Sequence, residues 1–373
     1  MPLEIKADKG CRAVRSLLVV VFLLLCACTR DSEPIKIGAI IPLTGAASQH
    51  VVFVDAMTLA MDEINATGGV NGRKLKLIVT DSQSNPEEGR QAFVRMEKAH
   101  HPLVYLTTTS VVSLALAPLA EETRVVLVGM AASSPRVTPG RQWVFKYYIT
   151  PEDEVVPIVS HLKWLKIRTL GILYQDDAFG RSLNTVVTQR VESLGARAVS
   201  VPFAASDPRF AEKIARINDM EAIYVVGFVR VAGKAILALR EQQYPGTILA
   251  YSGASSLPQA MPEMLPQLEG IYLAAPIIYN PNYVFARKAK ERYERRFNQN
   301  FTHQAANGYD FIHILAGLME GEDVSRERVR ERLNSEFSYP GVFGYIEKDA
   351  GQHDIAFPLY PARIVNGTIH YLQ

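Results

Sequence analysis

From Ile35 onward the sequence alternates short apolar runs with segments of helical periodicity, and this alternation restricts the chain to a narrow set of folds. "IKIGAII" (35–41), "KLKLIVTD" (74–81), "LVYLT" (103–107) and "RVVLVGM" (124–130) are strand-like. Helical spacing of apolar residues fills the intervals at 53–68, 86–100 and 111–122. Strands joined through helices pair in parallel, because a parallel connection needs a crossover of a dozen residues or more. After "VFKYY" (144–148) the pattern begins again. Helices are predicted at 152–164, 179–194, 209–219 and 231–243, with strands at 169–174, 198–203, 222–228, 247–253 and 270–277. Two arrays of similar length predict an α/β fold of two doubly wound parallel-sheet lobes. Helices predicted at 282–299, 303–320 and 325–335 bring no strands of their own and read as cover for a lobe already formed.

The first 27 residues have a different character. Lys6, Lys9, Arg12 and Arg15 precede an apolar run from Ser16 to Cys26 of 11 residues. That is too short for a membrane span, which takes about 20, and it reads as an export signal. "LCAC" (25–28) resembles a bacterial lipobox, with Leu25, small Ala27 and then Cys28. The resemblance implies cleavage before Cys28, lipid on its sulfur and amino group, and a polar tether over 28–34. The 3 cysteines, Cys11, Cys26 and Cys28, all lie in this region. The mature chain would keep Cys28 alone, carrying lipid and making no disulfide. Thr29, where inner-membrane lipoproteins carry aspartate, favours the outer membrane in a Gram-negative host.

Composition narrows the function. The chain holds 40 basic and 38 acidic residues. Removing the signal, with its surplus of 2 basic residues, leaves a mature part of zero formal charge. A nucleic-acid partner needs a basic field, and none is present. Phosphate loops, dinucleotide loops, nucleophile elbows and metal-ligand spacings are all missing from the sequence, so the reading is a non-enzyme with no cofactor or metal.

Six stretches carry a more specific likeness: "IKIGAIIPLTGAASQ", "AMDEINATGGVNGRKLKLIVTDSQSNPEEG", "LALAPLAEETRVVLV", "AASSPRVT", "ILYQDDAFGRSL" and "NGYDFIHIL". In order and spacing they resemble the type I periplasmic binding proteins of the leucine/isoleucine/valine-binding class, the solute receptors of ABC importers. The resemblance implies lobes joined by three hinge crossings, near Lys146–Ile149, Ala274–Tyr279 and Tyr339–Tyr345. One lobe would comprise 35–146 plus 278–338, the other 147–277 plus 339–373. It also implies a monomeric, lipid-anchored receptor on the periplasmic face of the envelope, closing on a small molecule and passing it to an ABC permease. The alternative is a sensing or regulatory envelope lipoprotein that acts through a protein partner.

In open α/β sheets, ligands sit beyond the carboxyl ends of the strands. "TTTSVVS" (107–113) follows a strand and opens a helix, whose free N–H groups and dipole suit a carboxylate. Thr109 and Ser110 add hydroxyls there, with helix capping as the simpler role for both. The resemblance assigns a carboxylate contact to Ser110, a backbone carbonyl contact to Ala131, and a hydroxyl plus N–H contact to Ser133. It places His50, Phe179 and Phe228 where the family has aromatic residues, and Gly253 where amino-acid binders carry the acid that holds the ligand ammonium. An unpaired buried ammonium costs several kcal/mol, about an order of magnitude more than a helix terminus returns. The expected ligand is therefore a carboxylate or amide rather than a zwitterionic amino acid.

Overall fold

The computed structural model describes residues 33–206, 209–321 and 323–372. The expected signal, Cys28 and most of the tether lie outside the described residues.

The strands run in chain order as β1 (Ile35–Ile41), β2 (Leu75–Asp81), β3 (Val104–Thr107), β4 (Val126–Gly129), β5 (Val144–Tyr147), β6 (Thr169–Gln175), β7 (Arg197–Phe203), β8 (Ala222–Val226), β9 (Thr247–Ala250), β10 (Tyr272–Pro276), β11 (Phe337–Gly341), β12 (Gly344–Lys348), β13 (Asp354–Ile355), β14 (Leu359–Val365) and β15 (Thr368–Tyr371). Two large sheets form, ordered β13-β5-β4-β3-β1-β2 and β15-β14-β10-β9-β8-β6-β7. Both contain the same parallel core, in the order 2-1-3-4-5 within each array. Each core therefore has one topological switch point, between β1 and β3 in the first and between β6 and β8 in the second.

Strand alternation explains why the first sheet is covered on both faces. Ile37, Ala39, Ile41, Val104, Leu106, Val126 and Val128 enter one core with Phe53, Phe311 and Leu315. The intervening Ile40, Tyr105 and Leu127 enter another with Phe93, Val112 and Leu116. Period-two side chains with helices on either side produce this sorting. The second sheet gathers Leu170, Ile172, Val225, Ile236, Leu249 and Leu273.

Two predicted elements are shorter than expected. The helix expected at 209–219 is regular only over Phe210–Ile214. The strand expected at 247–253 ends at Ala250, and 252–268 winds through short helical turns. Pro258, Pro262 and Pro266 punctuate that stretch, and proline interrupts a helix by removing a donor and clashing with the preceding turn.

The helices Val284–Phe297, His303–Met319 and Arg326–Asn334 return to the first lobe, where Ala289, Tyr293, Leu315 and Leu333 join its core. The third passage, expected near Tyr339–Tyr345, comes later. Hairpin β11–β12 sends Val342, Phe343 and Ile346 into the first core, and β13 extends the first sheet beside β5. Only from β14 does the chain join the second sheet, antiparallel to β10, with Ala362 and Ile364 in the second core. Apolar side chains of the hairpin hold this segment on the first lobe.

Candidate functional site

The loops at the two switch points face each other across the space between the lobes. On the first lobe the chain leaves β1, makes a short turn at 48–50 and enters the helix Val51–Ala66. His50 Nδ1 lies 2.9 Å from Thr108 Oγ1 at the tip of β3, so the switch point is closed by a hydrogen bond. His50 is buried, and burial depresses its pKa to about 4, which keeps the ring neutral. On the second lobe, Phe228 follows β8, and its N–H donates to Oε1 of Gln175 at the end of β6 (3.2 Å). The Phe228 ring stacks on Phe179, with centroids 6.3 Å apart. His50 meets Phe228 edge to face, also at 6.3 Å, and Phe179 leans on Tyr251 at 5.4 Å. One aromatic cluster thus spans both lobes.

The helix Ser110–Thr123 begins as expected, but its hydroxyls are already engaged. Thr109 is its N-cap, accepting from Val112 N–H (3.4 Å). The Ser110 hydroxyl accepts from Ser134 N–H (3.1 Å) and ties the β3 loop to the β4 loop. Ala131 lies half-buried in that second loop. Ser133 differs: it is 5 % exposed and its hydroxyl has no protein partner among the described residues. A buried hydroxyl left unpaired costs about 1–3 kcal/mol.

Gly253 carries no acid, and there is a steric reason. A Cβ there would stand 2.3 Å from the Tyr251 ring. An acid nevertheless reaches this loop from another element. Glu154, in the first turn of the helix Pro151–Trp164, accepts from Ser252 N–H (2.6 Å) and Tyr224 O–H (3.3 Å) through Oε1. It is 3 % exposed. Burial raises its pKa to about 7, with the Ser252 and Tyr224 contacts opposing the rise. The second-lobe wall thus carries an acid, supplied by the helix Pro151–Trp164 and not by the loop at Gly253. No local signal marks Glu154, since acids in a first helical turn are ordinarily solvated partners of the dipole.

Four contacts between the lobes were also invisible in the sequence. Ser182 Oγ donates to Ser134 Oγ (3.2 Å), Ser255 Oγ lies 3.2 Å from His303 Nδ1, Ser256 Oγ donates to Gln304 Oε1 (2.9 Å), and His50 packs on Phe228. His303 is buried, and burial together with nearby His50 takes its pKa down to about 3. Its Nε2 has no protein partner among the described residues. With the lobes drawn together, the cavity lined by Ser133, Tyr148, Glu154, Phe179, Tyr251 and Ser252 measures about 10 Å³. That is roughly one water's worth of space, so a molecule of several heavy atoms enters only as the lobes part.

Residues 34–368 match the family described as periplasmic binding protein. The chain belongs to the periplasmic binding protein family. Its strand order and its relatives place it in the type I, leucine/isoleucine/valine-binding class, a class of binding proteins rather than enzymes. A chemotactic signal transduction system substrate-binding protein, BasB, of Halobacterium salinarum is 28% identical over 60% of this chain and 57% of its own length. A leucine-, isoleucine-, valine-, threonine- and alanine-binding protein of Pseudomonas aeruginosa is 25% identical over 60% of each chain. This periplasmic binding protein thus spans about 60% of the length of those curated relatives. Among solved structures, the leucine-binding protein LivK of Thermotoga maritima superposes with a TM-score of 0.80 at 23% identity, covering 91% of this chain and 98% of that one. A solute-binding protein of Rhodopseudomonas palustris in complex with 3,4-dihydroxybenzoic acid gives 0.81 at 19% identity, covering 91% and 96%. These likenesses establish the fold.

Proposed function

We propose that this periplasmic binding protein is an extracytoplasmic solute receptor. It takes a small molecule bearing a carboxylate or amide between its lobes by hinge closure and delivers it to an ABC permease. The observation that carries this reading is the meeting of unpartnered buried polar atoms, Ser133 Oγ and His303 Nε2, with an aromatic cluster at two facing switch points. Buried polar groups are ordinarily satisfied, and a ligand that supplies the missing partners recovers their cost. The neutral rings of His50 and His303 offer no charge to an ammonium, and burial without a cation favours the protonated form of Glu154. In the same reading Cys28 carries the lipid anchor, the protein works as a monomer on the periplasmic face, and Ser110, Ala131 and Ser133 frame the carboxylate or amide.

Thermal shift against carboxylates, amides and amino acids tests this reading, because a true ligand raises the melting temperature in proportion to ln(1 + [L]/Kd). Ser133→Ala is expected to weaken the strongest hit about tenfold. Tight binding of leucine would overturn the ligand class. Silence across the panel at millimolar concentration would favour the second reading, a sensing or regulatory envelope protein. That reading draws support from the way the protein's own aromatic rings fill the gap.

A further inference from the structure

A chamber of about 500 Å³ lies between the lobes beside the candidate site. The first lobe contributes Gln49 and Gln304 to its walls, and the second contributes Val229, Arg230, Ser256 and Gln259. Chain alternation ties it to the gap. His50, Phe228, Ser255 and His303 make the interlobe pairs, and a sequence neighbour of each lines the chamber: Gln49, Val229, Ser256 and Gln304. The 251–260 segment borders both spaces, and each draws its walls from both lobes.

The walls hold unspent recognition chemistry. The amide nitrogen and oxygen of Gln49 are both shielded from solvent and have no protein partner among the described residues. Arg230 lines the chamber and makes no ion pair or hydrogen bond to a described residue. Several other polar groups there are already committed. Gln304 Oε1 accepts from Ser256, Glu294 accepts from Phe301 N–H and pairs with Lys290, and Thr302 caps the helix that begins at His303. Unused capacity thus includes the Gln49 amide, which both donates and accepts, and the Arg230 guanidinium, whose fork fits a carboxylate, beside the side-chain amides of Gln259, Asn298 and Asn300 at the rim. The volume falls within the range of small-molecule sites.

We propose that the chamber receives the far end of an elongated solute, and that this far end carries a second polar group, a carboxamide or carboxylate, read by Gln49 and Arg230. This rests on the receptor reading above and narrows its substrate class to acids with a polar group at each end.

Two matched ligand series test it by calorimetry: benzoate, terephthalate and 4-carbamoylbenzoate, then hexanoate, adipate and adipamate. Each series keeps the near carboxylate and changes only the far end. In at least one series the doubly polar members are expected to bind about tenfold more tightly than the plain acid. Arg230→Ala should abolish the advantage of the dicarboxylate, and Gln49→Ala that of the amide. Plain acids that bind as well as their doubly polar partners, or an advantage that survives both substitutions, overturn the inference and leave the receptor reading intact. Failure of all six to bind at millimolar concentration overturns both. Circular dichroism and melting temperature of the variants separate lost recognition from lost folding.

Discussion

His50 of the first lobe and Phe228 of the second meet edge to face, with ring centroids 6.3 Å apart, and each is anchored to its own switch point by a hydrogen bond. The pair couples the two β-sheets through a single aromatic contact, and such a contact contributes about 0.5–1.5 kcal/mol beyond its buried area.

Phe228→Ala should therefore shift the balance between closed and parted lobes toward the parted form by a factor of about 2–10. Small-angle scattering of the unliganded protein is expected to give a larger radius of gyration for the variant. An unchanged radius would show that the contact does not hold the lobes together.

Acid stability should depend on two buried groups with opposite signs. His303 has its pKa lowered from 6.5 to about 3, so the unfolded chain binds more protons between those values. Its contribution is full above pH 6.5 and is lost as the pH falls. Glu154 has its pKa raised from 4.5 to about 7, so its contribution is full below pH 4.5 and is lost as the pH rises through 7. Each accounts for up to about 1.4 kcal/mol per pH unit within its window. Urea unfolding between pH 5 and pH 7 should show His303→Asn losing stability relative to wild type as the pH rises, and Glu154→Gln gaining it. Parallel curves for all three proteins would refute the assignment.

Gly253→Ala should destabilise the protein by about 1–3 kcal/mol, the usual cost of overpacking. The added methyl would fall 2.3 Å from the Tyr251 ring, which is itself held between Phe179 and the loop. Full stability together with an unmoved tyrosine signal in near-ultraviolet circular dichroism would mean that the loop is looser than this packing implies.

Asp310 fixes the β11–β12 hairpin to the first lobe. Its carboxyl accepts from Val342 N–H at 2.8 Å, and burial raises its pKa to about 8. Because the neutral form dominates at pH 7, Asp310→Asn should cost less than about 1 kcal/mol, whereas Asp310→Ala leaves a buried N–H unpaired and should cost about 1–3 kcal/mol. Equal losses for the two in denaturant titrations would indicate that the negative charge, not the hydrogen bond, secures the hairpin.

Strand and helix alternation fixed the two lobes from residue 35 onward, because period-two and helical spacing are local properties that survive any arrangement of the lobes. Thr109 was legible as a helix cap and caps one; Asn85, Thr150 and Thr302 cap helices in the same local way, using side chains that lie beside the N–H groups they accept from. Ser133 could be singled out from the strand-tip rule and the family resemblance together.

The tertiary structure alone decided how the site is assembled. Glu154 accepts from an N–H 98 residues away, and Ser255 meets His303 across 48. Neither contact leaves a trace in local sequence, because an acid in a first helical turn and a histidine at a helix start look the same whether solvated or buried. Their burial, and with it their altered protonation, exists only once two separately folded sheets bring their strand tips face to face.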